Sequence, residues 1–123
     1  MIEQDESWFK EAVMNSSSVI DSVLGTWPGV SSHPHRFGGR EYRFGRREIG
    51  HVHGDYLVDI PFPKRVRDEV IAMGLAQKHH VLPDSGWVSV PLYSEQDLER
   101  AISLLRRSYE LAVSQKEKRQ ETK

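Results

Sequence analysis

The chain has 123 residues, 37% of them hydrophobic and 28% charged, and its 17 basic and 18 acidic side chains give a formal net charge of −1. That length allows one core and one domain, and near-zero net charge argues against a main task of coating nucleic acid or an anionic membrane. Cysteine is absent, so disulfides, thiolate zinc sites, iron–sulfur clusters and a cysteine nucleophile are excluded, leaving histidine and carboxylates as metal ligands.

No apolar run reaches membrane length, and the first residues, Met1-Ile2-Glu3-Gln4-Asp5-Glu6, are acidic where a signal peptide is basic and then apolar. A cytoplasmic location is the resulting expectation.

From Ser7 to Leu24, apolar residues recur at Trp8, Phe9, Ala12 and Val13 and again at Val19, Ile20, Val23 and Leu24. This reads as one broken helix or two short ones, with Ser18 and Asp21 resembling a cap for the second piece. Residues 1–17 are taken as an N-terminal helical extension and 18–114 as the domain proper. Gly25 and Trp27-Pro28-Gly29 stop the helix. From Val30 to Ile60 the texture is that of short strands broken by glycine, an antiparallel meander. Ile49 and Val52 share a face only if a bulge intervenes near Gly50.

A second helix is expected from Pro61-Phe62-Pro63 to Gly74, with Val66, Val70, Ile71 and Met73 on one side. Pro83-Asp84-Ser85-Gly86 reads as a turn and Trp87 to Leu92 as a strand. Ser94 then caps a long helix carrying Leu98, Ala101, Ile102, Leu105, Tyr109 and Ala112 at helical spacing. Residues 115–123 hold no apolar side chain and read as a polar, disordered tail. The fold class is α+β: a single antiparallel sheet of about five strands covered by helices, in the order α-β-β-β-β-α-β-β-α.

His51-Val52-His53-Gly54-Asp55 is the densest chemical signal, because histidines two apart on a strand share a face and a carboxylate follows. Together they suit zinc, iron or manganese with positions left open. His33-Pro34-His35 and His79-His80 complete three histidine pairs. On an extended strand the adjacent His79 and His80 diverge, so at most one of them joins a common site. Asp59, inside Tyr56-Leu57-Val58-Asp59-Ile60, needs a partner, and Lys64 or Arg65 just beyond is the expected one. Arg40, Arg43, Arg46 and Arg47, interleaved with aromatics, form a basic hairpin that could meet phosphates.

The blocks from His51 to Glu69 and from His79 to Ser89 resemble the bacterial and fungal family known as the luciferase domain. The likeness runs from about Pro28 to Tyr109. The family implies no settled biochemical function. Flavin-dependent luciferases resemble eight-stranded barrels of roughly 250 residues, for which this chain lacks the length. The ending of the domain, with Pro28-Gly29-Val30, is also similar to MmcQ/YjbR-like proteins, implying a compact α+β domain.

The first functional expectation is a binding or accessory domain for a small ligand or protein partner. Its face is built from His51, His53, Asp55, Asp59, Lys64, Arg65, His80, Asp84 and Trp87. The second is a metal-dependent enzyme in which a divalent ion sits on His51 and His53 with Asp55 or His80. The third is a nucleic-acid module on the arginine hairpin. No membrane partner is expected, nucleic acid ranks last, and the chain is taken as a monomer or homodimer.

Overall fold

The computed structural model describes residues 14–35 and 38–121. The earlier helical piece around Trp8 lies outside the described residues. The described chain runs α1 (Ser16–Leu24), β1 (Val30–Pro34), β2 (Arg40–Phe44), β3 (Arg47–His53), β4 (Leu57–Pro61), α2 (Lys64–Ala72), β5 (Gln77–Lys78), β6 (Trp87–Pro91) and α3 (Glu95–Glu121).

The strands form one antiparallel sheet in the order β1-β2-β3-β4-β6-β5. This is the expected α+β class, with six strands where about five were anticipated. The element order is the expected one, and β5, the first of the two strands foreseen between α2 and α3, is only two residues long.

Three helices cover one face. Val52, Val58, Ile60, Val88 and Val90 from the sheet meet Ile20 and Leu24 of α1, Val66 and Val70 of α2, and Leu98, Ala101, Leu105 and Tyr109 of α3 in one buried cluster. Ser94 Oγ accepts the Asp97 backbone N–H at 3.1 Å, capping α3 as the sequence implies. The cap of α1 differs: helix begins at Ser16, so Ser18 is interior and the expected boundary after residue 17 falls within this element. Asp21 is freed to accept the Tyr42 hydroxyl at 2.9 Å.

Pro61 ends β4, and α2 starts after Pro63. At its other end, α3 continues to Glu121 where a disordered tail was expected from residue 115. The reason lies in what the polar side chains reach. Arg47 donates to Gln115, and the Lys116 ammonium sits 5.2 Å from the Phe44 ring centroid, tying the extra turns to the β2–β3 hairpin. Among the described residues no helix is long and apolar enough to cross a membrane.

The bulge foreseen near Gly50 is present: Tyr42 pairs with Gly50 but Arg43 with Glu48, leaving Ile49 as the extra residue. The offset turns both Ile49 and Val52 into the core and sets the register for His51 and His53. Gly50 lies so close to α3 that a Cβ there would come within 2.4 Å of Leu105 Cδ2 and 3.1 Å of the Asp59 carbonyl oxygen. Gly50→Ala is therefore expected to cost about 1–3 kcal/mol by overpacking. Urea denaturation checks this, and an unchanged midpoint would show that Leu105 yields freely.

Candidate functional site

Residues directly opposed across antiparallel strands share a face of the sheet. His51 on β3 opposes Asp59 on β4, and Asp59 opposes Ser89 on β6, so these three form a polar row on the face away from the helices. His53, two residues beyond His51, points to the same side. Trp87 precedes Ser89 by the same interval and joins them.

Asp59 is the centre of the row and is only 1% exposed. A buried carboxylate is costly unless its oxygens are paired and hydrogen-bonded, and here both are satisfied. Oδ1 accepts the Ser89 hydroxyl at 2.6 Å. Oδ2 lies 2.8 Å from His53 Nε2, 3.2 Å from His51 Nε2 and 3.4 Å from His79 Nε2. Burial pushes the Asp59 carboxyl up, but the hydrogen bonds from His51, Ser89 and His53, with the His79 Nε2 side beside them, outweigh it. Its pKa is held well below the usual carboxylate range.

His51 stands between two carboxylates. Nε2 faces Asp59 and Nδ1 lies 2.6 Å from Glu48 Oε2. Burial works against its imidazolium, yet the hydrogen bonds to Asp59 and Glu48 raise it to about 9. Its ring is stacked on His35 at 4.3 Å and tilted against Trp87 at 5.1 Å.

His79 borders the same carboxylate with the opposite electrostatic outcome. Its Nδ1 accepts the backbone N–H groups of Val81 and Leu82 at 3.1 and 3.0 Å, so that nitrogen must present a lone pair. The proton of the neutral ring then resides on Nε2, aimed at Asp59. A second proton would meet two N–H donors. Burial lowers the pKa of His79, as do the charges of His80 and His51, against the opposing pull of Asp59.

Of the nine residues expected to form a face, His51, His53, Asp59, His80 and Trp87 come together. Asp55 instead accepts the Ser17 backbone N–H at 2.8 Å, beside α1. Lys64 and Arg65 are exposed on α2 and Asp84 is exposed on its turn. The expected partner of Asp59 is thus corrected from lysine or arginine to histidine. The expected divergence of His79 and His80 is corrected too. Neither is in a strand, and their rings stack at 4.5 Å.

Glu48 and Ser89 escaped the sequence reading, while His35 and His79 entered it only as members of histidine pairs. The available signal was a polar residue at the middle of each of two apolar strands, Asp59 in β4 and Ser89 in β6. Two such residues on paired strands mark one buried polar row.

The hairpin arginines separate. Arg40 donates to Ser32 at 3.0 Å, Arg43 pairs with Glu41 at 2.6 Å, and Arg47 turns to α3.

Two trios among the described residues bring ligand atoms within 4.8 Å of one another: His51, His53 and Asp59, and Asp59, His79 and His80. The fixed tautomer of His79 weakens the second trio, because both of its nitrogens are committed. In the first, Glu48 stands behind His51, the arrangement in which a carboxylate orients an imidazole for a metal.

In the metal-free protein the His51–Asp59 pair makes stability depend on pH. The raised imidazole stabilises the fold fully below its unfolded value of about 6.5 and loses that contribution as pH rises through about 9. The depressed carboxyl stabilises above its unfolded value of about 3.9 and is lost in acid. Chelator-treated protein is expected to resist urea best between these limits, with a decline toward pH 9 that His51→Gln removes. An identical decline in the variant would place the titrating group elsewhere.

The luciferase domain family model matches residues 46–108, which includes Glu48, His51, His53, Asp59, His79, His80, Trp87 and Ser89. No curated protein and no solved structure matches the chain. The family match covers half of the sequence and all of the polar row, and the chain belongs to the luciferase domain family.

Proposed function

We propose that this chain holds a single divalent metal ion on the face of its sheet opposite the described helices, through His51 Nε2, His53 Nε2 and the Asp59 carboxylate. The observation that carries this is the convergence of two imidazole nitrogens on one buried carboxylate oxygen, at 2.8 and 3.2 Å, with Glu48 behind His51. Without metal, protons on the imidazoles bridge to Asp59. An ion would replace those protons, and the ligands need little rearrangement to accept it.

Two imidazoles and one carboxylate suit zinc, iron or manganese. Three protein ligands leave coordination positions for water or substrate, which is the condition for metal-assisted hydrolysis or oxygen chemistry. Ser89 fixes the carboxylate through Oδ1, while His79 supplies an N–H beside Oδ2. His35, His80 and Trp87 surround the site with rings. The binding-domain and metal-enzyme expectations merge in this reading, since the first ligand of the face is the metal itself. A cytoplasmic setting belongs to the same proposal.

Elemental analysis of untagged protein, reloaded with each metal and then desalted, is expected to give about one ion per chain, in keeping with a three-ligand site. The His51→Ala, His53→Ala double variant is expected to retain none. Glu48→Gln should keep the stoichiometry but bind about 10–100-fold more weakly. Wild-type protein that retains no metal after loading would refute the proposal, and the row would then act as a metal-free acid–base cluster.

A further inference from the structure

On the helix-covered side of the sheet, away from the histidines, a concavity of about 440 Å³ opens between the β2–β3 turn and the C-terminal half of α3. Its lining includes Arg46, Arg47, Lys116 and Arg119, with Phe44 and Gln115, and among the described residues it contains no acidic one. This gathers four cations in a chain whose acids outnumber its bases by 18 to 17.

The segregation has local causes. Glu48, next to Arg47 in sequence, is turned through the sheet to His51 Nδ1. Arg47 donates to the Gln115 side chain, and burial together with the Arg119 charge lowers its pKa. Lys116 is held over the Phe44 ring at 5.2 Å. Among the described residues, none of Arg46, Arg47 and Lys116 forms an ion pair with a carboxylate.

Gly45 has a positive φ of 62°, and a Cβ there would meet nothing within 4 Å, so the turn leaves the mouth open. Basic residues near a helix C-terminus offset the helix dipole, which accounts for Lys118 and Arg119. It does not account for two arginines brought from a hairpin to the same hollow.

We propose that this concavity binds the polyphosphate group of a small phosphorylated ligand. Guanidinium forks match phosphate oxygens, and several cations around one hollow call for a multiply charged anion. The volume is that of a small-molecule site. A nucleic-acid track would need a continuous basic stripe. Arg40 instead lies at the far end of β2 bonded to Ser32, and Arg43 is paired with Glu41 on the opposite face.

Titration calorimetry on the chelator-treated full chain tests this, with inorganic tripolyphosphate, ATP and a single-stranded oligonucleotide as probes. Chelation keeps the histidine face out of the readout, so failure here is independent of the metal proposal. Tripolyphosphate is expected to bind with one site per chain. Arg46→Gln with Lys116→Gln should weaken it by at least about tenfold, the loss of charge-assisted hydrogen bonds.

Lys64→Gln with Lys78→Gln removes the same charge elsewhere and should leave affinity unchanged. ATP binding more tightly than tripolyphosphate would identify a nucleotide as the source, and equal binding would show that the phosphates alone are read. If the first double variant melts early, Arg46→Gln alone at its exposed position carries the comparison. No binding of tripolyphosphate, equal weakening by both double variants, or tighter binding of the oligonucleotide would each overturn the proposal.

Discussion

A carboxylate buried on the side of the sheet opposite the described helices must be satisfied by its neighbours, and the polar half of this molecule is organised around that requirement. Asp59 is almost inaccessible, yet the helices that exclude water from Val58 and Ile60 lie on the other face. Its cover comes from the rings of His51, His53 and His79, and its second oxygen is closed by Ser89. Removing any one of these leaves a buried group short of a partner, a loss of roughly 1–3 kcal/mol or more.

The two faces are coupled through register. The bulge at Ile49 lets Gly50 approach Leu105 of α3 and, in the next position, sends His51 toward Asp59. A one-residue slip would exchange the core face for the polar face along all of β3. The same alternation separates the charges. Glu48 serves the histidine side and Arg47 the helix side, which allows a chain of nearly zero net charge to present an acidic hub and a basic hollow.

The apolar skeleton was legible because its signals are local. Helical spacing in α3, the cap at Ser94, the turn after Pro83 and the bulge beside Gly50 follow from a few neighbouring residues each. The same spacing rule identified His51 and His53 as partners on one face. The identity of their third partner depended on which strands pair, which local sequence does not encode. Asp55 stood nearer in sequence, but the turn at Gly54 directs it to α1. Asp59 reaches the histidines through pairing of β3 with β4. His79 and His80 were misread because a strand was assumed where the chain is irregular, and stacking replaced divergence. The extension of α3 was hidden for a related reason, since polar residues that lack a hydrophobic stripe can still be held by a distant hairpin.

In the proposed site His51 and His53 exchange a proton for a metal at Nε2, while His79 stays an Nε2–H donor to Asp59. Long-range ¹H–¹⁵N correlation spectra of the imidazoles, before and after one equivalent of zinc, test it most directly. A protonated Nε2 on His79 is expected in both spectra, with metal-induced shifts at Nε2 of His51 and His53. Zinc that leaves His51 and His53 unchanged, or that strips the Nε2 proton from His79, would contradict it.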